Sequence, residues 1–83
     1  MSSYDLEFIL SAYNLSVDTL KDALGEFGDG LKVVELDKDK ISSYSDFKVH
    51  ISTRDPTLIF DTCSQIGRIK SIKIDEKKGP GHP

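Results

Sequence analysis

The sequence predicts an α+β domain, a three-stranded, mainly antiparallel sheet in the order 2-1-3 with its helices packed on one face. Three observations carry this expectation. The first 27 residues hold apolar side chains at helical spacing. Three later runs are rich in β-branched residues or alternate apolar with polar ones. Asp55-Pro56 then opens a helix between the last two of those runs.

Taken in order, residues 4–13 place Leu6, Ile9, Leu10 and Tyr13 on one helical stripe, and Asn14 ends it because Asn tolerates the left-handed conformation. Ser16 is the N-cap of a second helix, whose stripe is Val17, Leu20, Leu24 and Phe27. Gly28-Asp29-Gly30 stops it. Residues 31–37 form the first strand and residues 38–45 a polar connection. Phe47, Val49 and Ile51 alternate with Lys48, His50 and Ser52 in the second strand.

Asp55 caps the third helix, with Pro56 at its first position, where a missing N–H costs nothing. That helix turns Ile59, Cys63 and Ile66 to one side and stops at Gly67. Residues 68–75, with Ile69, Ile72 and Ile74, form the last strand. The domain is expected to span residues 1–76, with residues 77–83 a flexible tail. The first two strands pair antiparallel, and the last docks beside the first, which becomes central because Val33 and Val34 are both apolar.

Eighty-three residues leave little room for a buried cofactor, so a site is expected at the surface. No apolar run reaches the ~20 residues of a membrane span. Residues 1–5 lack the basic start and apolar stretch of a signal peptide, which predicts a cytoplasmic protein. The single cysteine, Cys63, excludes an internal disulfide and cannot build a zinc site alone.

Charge is distributed unevenly. Residues 1–29 hold Asp5, Glu7, Asp18, Asp22, Glu26 and Asp29 against Lys21, a balance of −5. Residues 63–83 hold Arg68, Lys70, Lys73, Lys77 and Lys78 against Asp75 and Glu76, a balance of +3. The expected chain path sorts the acids to two ends of the sheet. One end gathers Glu26, Asp29, Asp55, Asp75 and Glu76; the other holds Asp37, Asp39 and Asp46, interleaved with lysines.

A divalent cation, calcium above all, needs six to eight oxygens at flexible loop positions. The first end supplies carboxylates and a glycine turn, so Glu26, Asp29, Asp55, Asp75 and Glu76 are the expected ligands of a weak calcium site. Asp37, Asp39 and Asp46 form the rival set. Asp22 and Glu26 are like charges four residues apart, and Glu26 lies in a last helical turn; a bound cation relieves both strains. The plainer reading is a solvated helix face. Residues 37–48 are not an EF-hand, because Ser42 stands where that loop needs glycine and Lys48 where it needs glutamate.

Other classes fare worse. Residues 9–24 have a helix-turn-helix register, but the recognition helix would expose Asp18, Asp22 and Glu26 to phosphates, which excludes nucleic-acid binding. Cys63 and His50 are expected on opposite sides of the sheet, so no nucleophile–base pair forms and the chain is read as no enzyme. The alternative function is a small protein-interaction or regulatory module with no metal requirement and an unidentified protein partner. The strand–helix–strand portion is similar in topology to ferredoxin-like ligand-sensing domains, without their second helix in order.

Taken together, the Gly28-Asp29-Gly30 turn, the Glu35-to-Asp39 segment and the Gly79-to-Pro83 ending make the chain resemble a small methanogen protein of unknown function described as calcium-binding. That resemblance implies calcium and a mixed α/β fold.

Overall fold

Period two, not period 3.6, governs the start of the chain. A computed structural model describes residues 2–38 and 43–77, the side chains of Asp37 and Lys38 excepted. In it Ser3–Tyr13 is a strand, β1, and not the expected helix. Leu6, Phe8, Leu10 and Ala12 are all buried, at most 1% exposed, while Tyr13 is 62% exposed. Alternate side chains of a strand point to opposite faces, so four inward residues two apart define this one. Tyr4, Phe8, Ile9 and Tyr13 also favour extended backbone.

The other elements lie close to where the sequence puts them. Helix α1 is Val17–Leu24, capped by Ser16, whose Oγ accepts from the Thr19 N–H at 3.1 Å. Strands β2 (Asp29–Lys38) and β3 (Tyr44–Thr53) follow. Helix α2 is Pro56–Ile66, with the Asp55 carboxylate accepting from the Leu58 N–H at 3.2 Å. Strand β4 is Arg68–Lys77. The expected tail residues 78–83 and the rival ligand Asp39 lie outside the described residues.

The sheet therefore has four strands in the order β2-β3-β1-β4, every neighbouring pair antiparallel, and two helices among the described residues. This corrects the three-stranded 2-1-3 arrangement. Strand β4 docks beside β1, so β2 is an edge, with Val33 turned into the core and Val34 54% exposed. The β-α-β-β-α-β order with β3 inserted between β1 and β2 is the ferredoxin-like topology. The second helix missing from the sequence expectation is recovered once residues 3–13 are counted as a strand.

Both helices cover one face. Leu20 and Leu24 of α1 and Ile59 and Cys63 of α2 join Leu6, Phe8, Leu10, Val33, Phe47, Val49 and Ile51 in one core. Phe8 meets Phe60 edge-to-face, ring centroids 5.4 Å apart. Thr53 ties the layers together, donating to the Phe27 carbonyl at 2.8 Å and accepting from the Asp55 N–H at 3.1 Å. Gly28 is obligatory for packing, since any Cβ there would run into the Ser52 carbonyl and the Ile51 side chain. The opposite sheet face carries no helix among the described residues.

Candidate functional site

That open face receives the outward half of each strand's alternation: Asp5, Glu7 and Ser11 from β1 meet Asp46, Lys48, His50 and Ser52 from β3. Directly opposed residues of an antiparallel pair share a face and lie ~5 Å apart. Three ion pairs follow from that geometry, Lys48–Glu7 at 3.7 Å, Lys70–Asp46 at 3.4 Å and Lys77–Asp5 at 2.7 Å. Two hydroxyls add to them, Ser52 donating to Asp5 and Ser11 to Asp46. Each contact crosses between neighbouring strands and so fixes their register.

The electrostatics agree with the geometry. Lys77 and then Ser52 hold the Asp5 carboxyl below the usual carboxylate range. The Ser11 hydroxyl, followed by Lys70, does the same for Asp46. At the centre His50 stands opposite Glu7 on β1 and Lys32 on β2. Its Nδ1 is shut off from solvent and has no hydrogen-bond partner among the described residues. Glu7, Lys32, Val34, Lys48 and His50 line a shallow depression of about 250 Å³ there.

The expected ligands behave differently. Register puts Asp29, Ser52, Asp5 and Asp75 in one row across all four strands, so the chain does bring Asp29 and Asp75 to the same rim. Three strand spacings of ~4.8 Å separate their backbones, however, which exceeds the reach of one ion binding oxygen at ~2.4 Å. Glu26, Asp29 and Asp55 line a cleft of about 670 Å³ together with Arg54, and Asp55 is engaged as the α2 cap. Glu76 stands opposite Tyr4, on the other face from Asp75. Of the rival set, Asp46 is held by Ser11 and Lys70, and Asp37 is opposite it in register.

Among the described residues no group of three or more His, Cys, Asp or Glu side chains is placed to hold a metal ion. The calcium-binding, metal-binding description of the chain is corrected accordingly. No nucleophile–base relay forms among the described residues either, for Ser52 donates to Asp5 instead of the imidazole, and Cys63 lies in the core on the far side of the sheet. Burial pushes the Cys63 thiol up to about 11. The polar face was readable as alternation (Ser3, Asp5, Glu7, then Ser11), but only with residues 3–13 taken as a strand.

The fold and this face define a two-layer, helix-backed module whose bare sheet is a charged, hydrogen-bonded surface. Over residues 1–78 the chain matches the family of FakA-like middle domains, named for a fatty acid kinase, and it belongs to that family. This overturns the resemblance to a methanogen calcium-binding protein. No curated protein sequence matches the chain. Among the described residues no helix is long and apolar enough to cross a membrane.

Proposed function

We propose that the chain is a binding module of a fatty-acid-kinase-type protein, working in the cytoplasm and contributing a docking face instead of reacting groups. The observation that supports this most is the bare sheet face. Its strands are locked in register by three cross-strand ion pairs, and it presents an unpartnered His50 Nδ1 beside Lys32 and Lys48. A buried polar atom without a partner is costly, and a protein surface that supplies one recovers that cost. The family match adds the setting, a middle domain within a larger kinase component.

The test is a backbone amide titration of the labelled chain with the separately expressed flanking domains of a FakA-type fatty acid kinase. Shifts centred on Glu7, Lys32, Lys48 and His50 are expected, and they shrink in His50→Ala. Shifts confined to α1 and α2, or none at millimolar partner, overturn the reading.

A further inference from the structure

One corner of the open face is built differently from the rest. Tyr13 and Tyr44 are directly opposed on β1 and β3, their rings edge-to-face with centroids 5.4 Å apart, and they are 62% and 52% exposed. Beside them a cleft of about 590 Å³ is lined by Ser11, Tyr13, Tyr44, Ile66, Arg68 and Lys70. That volume lies within the usual range of ligand-sized clefts. Its floor is kept low by Gly67, where any side chain would strike the Ser11 carbonyl and Ala12.

Charge at this corner is unbalanced. Lys70 and the Ser11 hydroxyl are both engaged by Asp46, whereas no carboxylate among the described residues pairs with Arg68. The lining therefore carries one net positive charge, borne on a guanidinium that suits a carboxylate. Tyrosine and arginine are also the side chains that dominate protein interfaces.

We infer that this cleft docks an acidic peptide segment of a partner protein, with a carboxylate on Arg68 and an apolar side chain against the Tyr13–Tyr44 pair and Ile66. The α2 C-terminus lines the same cleft at Ile66 and Gly67, and the negative end of a helix disfavours a small free anion there. A segment that brings its charge to the arginine side and apolar atoms to the helix side avoids that repulsion. It lies across the face instead of extending the sheet. The β4 edge is interrupted by a bulge at Ser71, φ +56°, and studded with Lys70 and Lys73, features that blunt strand addition. This inference rests on the open face being a docking surface, and names one end of it and its partner's chemistry.

The probe is a fluorescein-labelled hexapeptide of four glutamates around a Leu-Phe pair, followed by polarisation and by amide shifts of the full chain. Saturable binding is expected, with shifts at Tyr13, Tyr44, Gly67 and Arg68. Arg68→Glu weakens it at least ~10-fold, and Tyr13→Ala or Tyr44→Ala ~3-fold or more. Arg68→Gln, which keeps the exposed side chain polar and uncharged, gives an intermediate loss with an unchanged Tm, separating lost charge from lost fold. Lys32→Glu leaves peptide binding unaltered while weakening any docking at the His50 depression, so the two sites fail independently. Equal binding of a lysine-flanked peptide, indifference to Arg68→Glu, or the same shifts from inorganic phosphate alone would each overturn the inference.

Discussion

Ser52 donates its hydroxyl proton to Asp5 across the β1–β3 pair, and the other oxygen of that carboxylate lies 2.7 Å from Lys77 Nζ. One carboxylate thus joins the strands β3, β1 and β4. Its pKa is held down first by Lys77 and next by Ser52. A carboxyl whose folded pKa lies below its unfolded value contributes stability above the unfolded value, near pH 4, and loses it as pH falls through the folded one. Thermal melts from pH 7 to pH 2 are expected to show Tm falling below about pH 4, with a shallower acid slope in Asp5→Asn. An identical slope in the two proteins would remove Asp5 from the acid transition.

The identity of β1 makes a sharp mutational contrast. Phe8 is fully buried and packs edge-to-face on Phe60, so Phe8→Ala is expected to cost about 3–5 kcal/mol, much of a small domain's stability. Tyr13, on the helical stripe suggested by sequence but 62% exposed on the strand, is expected to cost roughly 1 kcal/mol or less as Ala. Urea unfolding of both variants reads the two values. A larger loss at Tyr13 than at Phe8 would contradict the strand.

That contrast also shows why part of the fold was legible and part was not. The Asp55-Pro56 cap and Gly67 bracketed α2 because capping chemistry is local, and residues 47–51 alternate without ambiguity. At the start of the chain Leu6 and Leu10 satisfy both periods, and only Phe8 and Ala12 separate strand from helix. Misreading those residues removed a central strand, made β2 central and left Asp5 on a helix. The Asp5–Ser52 and Ser11–Asp46 pairs, 47 and 35 residues apart in sequence, then had no route into the reading. Acids at one rim were anticipated; that a strand spacing stands between each of them depends on topology.

Thr53 serves as a joint between the sheet and both helical segments. Buried at 4% exposure, its hydroxyl donates to the Phe27 carbonyl and accepts from the Asp55 N–H. Thr53→Val keeps the shape and strands both partners, an expected loss of about 1–3 kcal/mol in chemical denaturation. Thr53→Ser keeps the hydroxyl and is expected to lose less. Valine proving as stable as threonine would show that the two hydrogen bonds are dispensable.

Cys63 gives a direct reading of how the core opens. The thiol is wholly buried among Leu, Ile and Phe side chains, and desolvation lifts its pKa to about 11 from 9.0. Only the thiolate reacts with disulfide reagents, so the native chain at pH 8 is expected to label no faster than it unfolds. Labelling should then accelerate in step with urea denaturation. The raised pKa has a second consequence: above about pH 9 the unfolded thiol ionises while the folded one does not, which draws the chain toward unfolding. Cys63→Ala is expected to flatten that alkaline loss while lowering stability at neutral pH through the cavity it leaves. Rapid labelling of the native protein at pH 8, with no change in urea sensitivity, would place Cys63 outside the core.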